Sequence, residues 1–345
     1  AIESTTDSVT LSTSVPPHIT TMNKSSRPKL DLSWIPMNID TSYQVFQIPK
    51  SNGKKRTIEA PSKSLKAVQH RLLHELQYHY FHQLPECVHG YVSNIDGASP
   101  RNVRTNALIH IGAIHLYNVD LKDFFHQITT NRLPSALAPF LEPLSVHEID
   151  RIAQVTMLHG RLPMGAPSSP VLSNMAFYPA DRALQDFASN HQLRYTRYVD
   201  DLSFSSQVTI SKELQEEIKD IITQYGFEVN AKKVTYYGSQ DTKVVTGVEI
   251  DQLSLRVSDK MFRKIHKNID GLKKIERLAD RLRFLDVDTS KLQKQKLKSV
   301  KRAIKGQLEF VKHIEGKDSK HYRDLKQRYK QKPRLSDDLD LSVYF

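Results

Sequence analysis

The sequence predicts an α+β fold with a mixed strand-and-helix body and a basic, all-helical C-terminal region. Three observations predict it. Short strand-like runs alternate with amphipathic helical stretches through residue 250. Helical periodicity alone continues beyond it. Charge divides at the same place: residues 1–250 carry 24 basic and 24 acidic side chains, whereas residues 251–345 carry 26 and 14, so the net charge of +12 lies wholly in the second segment. A neutral body with a basic C-terminal region points to a polyanionic partner held by one part of the chain.

Taken in order, residues 1–28 are rich in Ser and Thr, contain Pro16-Pro17, and show no hydrophobic period, which reads as a flexible or surface-hugging extension reaching to about residue 42. Tyr43, Val45, Phe46 and Ile48, followed by Lys54-Lys55-Arg56-Thr57-Ile58, predict a hairpin turning at Ser51-Asn52-Gly53. Pro61 and Ser64 open a helix running to about His82, with Leu65, Val68, Leu72, Leu73 and Leu76 as its apolar stripe. His70 and His74 on this helix have metal-ligand spacing, but no HExxH pattern or Cys pair accompanies them, and a zinc site is not expected. Ala113–Val119 reads as a strand running into Asp120. Leu133–Phe140, Ser145–Thr156 and Pro170–Ser189 read as helices, and Ser211–Tyr225 as a helix closed by Gly226. Two strand-like runs follow, Val234–Tyr237 and Val244–Ile250. The tail then shows helical stripes at Ile265, Ile269, Leu272 and Ile275, and at Leu297, Val300, Ile304, Leu308 and Val311, with Lys294, Lys296, Lys298, Lys301, Arg302 and Lys305 between them.

The length of 345 residues suggests two or three domains. No apolar run approaches a membrane span, and the N-terminus lacks a signal pattern, so neither a membrane nor export is expected. The lone cysteine, Cys87, excludes an internal disulfide, reads as a buried small hydrophobe, and suits a reducing cytoplasm.

The chemistry concentrates in Tyr198-Val199-Asp200-Asp201, set between the strand-like runs Leu193–Arg197 and Leu202–Ser205. Adjacent carboxylates at a hairpin tip repel each other, and a divalent cation is the usual reason to keep them. A third carboxylate, Asp120, also ends a strand. If the two strands are neighbours, three Asp residues converge and can hold two cations for an in-line phosphoryl transfer. Asp123 reads as a cap rather than a ligand. Between the two carboxylate strands lies Pro163-Met164-Gly165-Ala166-Pro167-Ser168-Ser169-Pro170, a small-residue loop opening a helix, which allows close backbone approach to a base pair or phosphate.

Together these segments resemble a known family. Asp120-x-x-Asp123-Phe124-Phe125, Gly165–Pro170 and Tyr198–Asp201 are similar to motifs A, B and C of reverse transcriptases. Gly53–Ile58 with Pro61 and Leu65-Lys66 resembles the fingers motif, and Gly226–Lys233 resembles motif D. Asn106-Ala107-Leu108-Ile109-His110 and Val245-Thr246-Gly247 resemble the NAxxH and VTG elements of retron reverse transcriptases. The resemblance spans about residues 45–250, and it departs at Met164, where motif B usually begins with Gln.

The resemblance implies a right-hand polymerase: fingers over 43–112, a ferredoxin-like palm over 113–250 with part of the fingers inserted at about 130–162, and a basic helical thumb over 251–345. It implies that Asp120, Asp200, Asp201 and the Leu121 carbonyl bind two Mg²⁺ ions, with Mn²⁺ as a substitute. Lys54, Lys55 and Arg56 would meet the incoming dNTP, Phe125 would exclude a ribose 2′-OH, and Gly165 and Ala166 would shape the pocket. Lys233 would donate a proton to the departing pyrophosphate. Asn106, His110, Arg197, Lys298, Lys301, Arg302 and Lys305 are the candidate contacts to RNA or template, with a structural role open for Asn106 and His110 and a neighbouring carboxylate the other partner for Arg197. The implied activity is copying part of a structured non-coding RNA into branched single-stranded DNA by 2′-OH priming, alongside an effector protein in phage defence. The competing readings are another bacterial reverse transcriptase, group II intron-like or defence-associated, and a non-catalytic RNA-binding scaffold of the same fold.

Overall fold

The computed structural model describes residues 28–49, 53, 55–92, 100–284 and 291–331. The Ser/Thr-rich segment 1–27, most of the predicted Ser51–Gly53 turn, Lys54 and residues 332–345 lie outside the described residues, as do the side chains of Lys294 and Lys296. Residues 28–42 lie on the body, with Leu30 and Ile35 buried in the main core.

Strands β1 (Tyr43–Pro49) and β2 (Lys55–Pro61) pair antiparallel from Tyr43↔Pro61 to Pro49↔Lys55. Helix α1 (Lys63–Phe81) starts one turn-residue earlier than Ser64: Ser62 caps it by accepting from the Leu65 amide. Its stripe of Leu65, Val68, Leu72 and Leu76 is buried, each side chain contributing about 1.5–3 kcal/mol of apolar burial. Helix α2 (Val103–Leu108) carries a capping box between Asn102 and Thr105.

The central sheet contains β3 (His115–Asp120), β4 (Arg194–Tyr198), β5 (Asp201–Ser206) and β6 (Thr235–Tyr237), in the order β4-β5-β3-β6, all antiparallel. Between β3 and β4 run α3 (Leu133–Leu137), α4 (Val146–Thr156) and α5 (Ser169–Asn190); α6 (Lys212–Gln224) joins β5 to β6. Counting α5 and α6, the chain order is β-α-β-β-α-β, the ferredoxin-like arrangement. A main core fills the space between this sheet, α1 and α3 to α6.

A second core lies towards the C-terminus. It joins α2, a three-stranded sheet β7 (Lys243–Val245), β8 (Val248–Ile250) and β9 (Leu255–Val257), and helices α7 (Asp259–Phe284), α8 (Lys291–Glu315) and α9 (Lys320–Lys330). The single strand expected over Val244–Ile250 is instead a tight hairpin, because Thr246 (φ 48°) and Gly247 (φ 82°) both take left-handed backbone and reverse the chain between β7 and β8. In α7, Ile265, Ile269 and Leu272 are buried, whereas Ile275, expected in the same stripe, is 45% exposed. None of the described helices is long and apolar enough to cross a membrane.

Candidate active site

The register of the central sheet builds the site. Asp120 is the last residue of β3 and pairs directly with Asp201, the first residue of β5. Asp200 precedes it at the tip of the β4–β5 hairpin, and its carbonyl accepts from the Leu121 amide at 2.9 Å. Asp120, Asp200 and Asp201 can each present a carboxylate oxygen within 4.8 Å of the others. Burial, and then the charge of Asp120, push the Asp200 carboxyl above its ordinary range. Burial, followed by Asp200 and Asp120, pushes Asp201 up to about 7. Three carboxylates whose mutual repulsion is only partly offset by Lys233 fit a divalent cation, which removes that repulsion.

Asp120 is further held from the following segment. Its Oδ1 accepts from Asn230 Nδ2 at 3.0 Å and its Oδ2 from Lys233 Nζ at 2.7 Å, while its carbonyl accepts from the Asn230 amide. Although burial pulls the Lys233 ammonium down, the bond to Asp120 and the charges of Asp120, Asp200 and Asp201 together raise the group overall. Asp123 takes left-handed backbone (φ 43°) and makes no side-chain cap bond.

The walls of the cleft come from three segments. Lys55 and Arg56 are exposed on β2, and the Arg56 charge is felt at Asp200. On the same strand Glu59, which sequence reasoning missed, is 5% exposed and accepts from Arg161 (2.7 and 3.1 Å) and the Met164 amide (3.0 Å). The Glu59 amide in turn donates to the Met164 carbonyl at 2.8 Å. This locks the β1–β2 hairpin to the Pro163–Pro170 loop. A Cβ on Gly165 would stand 2.9 Å from the Glu59 carbonyl oxygen, so the close approach there is made by β2 backbone. The Ala166 methyl group is buried. Phe125 is half-buried and lies beside Tyr91, ring centroids 6.0 Å apart. Tyr91 was also missed; its left-handed backbone (φ 57°) is the available signal, and that is visible only in three dimensions. Burial, then the nearby charge of Asp200, push its phenol up.

Residues 48–250 match the family model described as reverse transcriptase (RNA-dependent DNA polymerase). The chain belongs to that family. The relatives it resembles include the retron Ec86 reverse transcriptase of Escherichia coli, 28% identical over 72% of this chain and 76% of the relative. The retron Mx65 reverse transcriptase of Myxococcus xanthus is 32% identical over 61% and 51% of the two chains. The retron Ec83 reverse transcriptase of E. coli is 29% identical over 61% and 69%. The chain thus spans between about half and three quarters of these relatives. Among solved structures, a C-terminally truncated apo telomerase from Candida tropicalis overlays loosely, with a TM-score of 0.45 at 14% identity, over 63% of this chain and 55% of its own. This reverse transcriptase is accordingly an RNA-directed DNA polymerase with a right-hand fold, and its three aspartates are placed for a divalent metal.

Three of its candidate RNA contacts are corrected by burial. Arg197 is 0% exposed and pairs with Asp181 rather than with nucleic acid (Nε–Oδ1 2.8 Å, Nη2–Oδ2 2.5 Å). His110 is 0% exposed, its two ring nitrogens bonded to Ser205 Oγ and Thr196 Oγ1, both at 2.7 Å. Asn106 is 0% exposed and donates to Thr246 Oγ1 at 3.1 Å. The NAxxH and VTG elements therefore meet each other, tying α2 to the β7–β8 turn. In the reverse transcriptase's C-terminal region Lys298, Arg302 and Lys305 are exposed on α8, and Lys301 pairs with Glu276 at 2.8 Å.

Proposed function

We propose that this chain is a retron reverse transcriptase that copies part of a cognate structured non-coding RNA into single-stranded DNA, primed from a 2′-OH of that RNA to give a branched RNA–DNA product. The single observation that carries the catalytic half of this reading is the convergence of Asp120, Asp200 and Asp201 at one end of the two central strands. The retron half is supported by the relatives, several of which are named retron reverse transcriptases.

Asp120, Asp200, Asp201 and the Leu121 carbonyl would hold two Mg²⁺ ions, for which Mn²⁺ can substitute. When bound, these ions supply charge neutralisation for an attacking hydroxyl and a departing pyrophosphate. Arg56, with Lys55 and Lys54, attracts the dNTP triphosphate. The Phe125 ring restricts space at the sugar, and the Gly165–Ala166 backbone completes the pocket beside β2. Lys233 carries a proton at Nζ within reach of the carboxylate cluster and serves as the donor to pyrophosphate. Lys298, Lys301, Arg302 and Lys305 hold the RNA–DNA duplex by its phosphates. The domain reading is fingers over 43–112, palm over 113–250 and thumb over 251–345. The enzyme works in the cytoplasm, consistent with its single buried cysteine, and the family resemblance adds an effector protein as partner.

The experiment is purification of the protein with its bound nucleic acid, followed by DNA synthesis with dNTPs and Mg²⁺ and sequencing of the product. A single RNA species covalently branched to DNA is expected, with synthesis lost in Asp200→Asn. Fragmented cellular RNA without a branch would overturn the retron reading, and equal synthesis by Asp200→Asn would overturn the catalytic assignment.

A further inference from the structure

The turn that carries Asp200 and Asp201 contains a strained residue. Val199 has φ 64°, a left-handed conformation that costs a β-branched residue roughly 1–3 kcal/mol. Such a conformation persists only when its surroundings hold it.

The hold is a buried polar network beneath the turn. The Val199 carbonyl accepts from Arg197 Nη1 at 3.0 Å. The same guanidinium is forked onto Asp181 of α5, itself 0% exposed, and also donates to Asn174 Oδ1 at 3.0 Å. Tyr195 donates its hydroxyl to Asp181 at 2.9 Å, and the Phe177 ring lies 4.9 Å from the guanidinium carbon. Asn174 in turn donates to the Gly90 carbonyl at 3.0 Å. Gly90 presses on the turn directly: a Cβ there would stand 2.5 Å from the Val199 amide nitrogen. Backbone bonds fix the same pieces, from the Arg197 amide to the Cys87 carbonyl (2.7 Å) and from the His89 amide to the Arg197 carbonyl (2.9 Å). The catalytic turn is therefore gripped between α5 and the 87–90 segment.

We propose that Arg197, oriented by Asp181 and Asn174, is a positioning residue for polymerisation: by holding the Val199 carbonyl it fixes the aim of the Asp200 and Asp201 carboxylates. Arginine suits the task because its planar fork serves three acceptors at once, two on α5 and one in the turn, which the single ammonium of lysine does not reproduce. Its action is geometric. Asp181 neutralises it, and the charges chiefly felt at Asp200 are those of Asp120, Lys233 and Arg56. A displacement of about 1 Å at reacting groups costs on the order of 10²-fold in rate.

The test compares wild type, Arg197→Lys and Gly90→Ala as full chains with their RNA. Three quantities are read: the single-turnover rate of nucleotide addition at saturating dNTP, the Mg²⁺ concentration giving half that rate, and the affinity for RNA. Gly90→Ala pushes on the turn without changing the side chains of the buried ion pair, so it still tests whether the position of the turn sets the rate if Arg197→Lys fails to fold. The expected result is a rate lowered roughly ten- to hundred-fold in both variants, a raised Mg²⁺ requirement, and RNA affinity within about twofold of wild type. Folded variants that keep the wild-type rate and Mg²⁺ requirement would overturn the proposal. So would a rate that falls only in proportion to RNA affinity or to the folded fraction, since that marks a purely structural role.

Discussion

Asp181 and Asp201 lie two elements apart and meet opposite treatment. Asp181 is fully enclosed, and its oxygens receive three bonds from Arg197 and Tyr195. Asp201 is partly open, and the charges chiefly felt there are those of Asp200 and Asp120, with Lys233 the opposing charge among the described residues. Behind the sheet, the polar groups of Arg197, Asp181, Tyr195 and Asn174 satisfy one another within the chain. Those at the ends of its central strands are left electrostatically incomplete, and a cation is what completes them. Charge that the protein balances itself holds the fold; charge that it leaves unbalanced is where chemistry is done.

The contrast is broken most severely from the satisfied side. Asp181→Ala leaves Arg197 buried and unpaired and should cost about 3–5 kcal/mol, read from urea denaturation. Asp200→Asn should do the reverse. Synthesis falls on the order of 10²–10³-fold or more, while the melting temperature without metal is unchanged or higher, because a repulsive charge has gone. Removing the Phe125 ring with Phe125→Ala should raise rNTP incorporation relative to dNTP roughly tenfold or more, in a single-nucleotide extension assay.

A pH series sharpens the same point. The Asp201 carboxyl has its folded pKa near 7, above the unfolded value near 4, so the folded state binds the extra proton between them. Stability from this site is fully present below pH 4 and is lost as pH rises through 7. In a chelator, thermal melts of Asp201→Asn should lack that decline and exceed wild type by about 2–4 °C at pH 8. The smallest effect belongs to the basic helix: Lys298→Gln, Arg302→Gln and Lys305→Gln should each reduce the salt slope of RNA binding by about one.

Much of this was legible in the sequence. The strand ends at Asp120 and Asp200 needed only local patterning, and the motif order supplied their convergence. The β1–β2 hairpin and the stripe of α1 followed from periodicity. What escaped was long-range or conformational. Arg197 gives no hint in the sequence that its partner is Asp181 on α5. Asn106 and His110 look like surface polar groups until the β7–β8 turn and the sheet close over them. The Thr246-Gly247 reversal was hidden because Val244, Thr246, Val248 and Ile250 read as one period-2 strand, whereas the structure buries Val245 and Val248, three residues apart across the turn. Glu59 acts through Arg161 and Met164, roughly a hundred residues away, and no spacing rule links them.

The central claim is that the incompletely balanced aspartate cluster, and not the satisfied pair, is the metal site. It is tested most directly by titrating Mn²⁺ into wild type, Asp120→Asn and Asp201→Asn and following free Mn²⁺ by electron paramagnetic resonance. Saturable binding by wild type, displaced by Mg²⁺, weakened below pH 7 and lost in both variants is the predicted result. Equal binding by wild type and variants would contradict it.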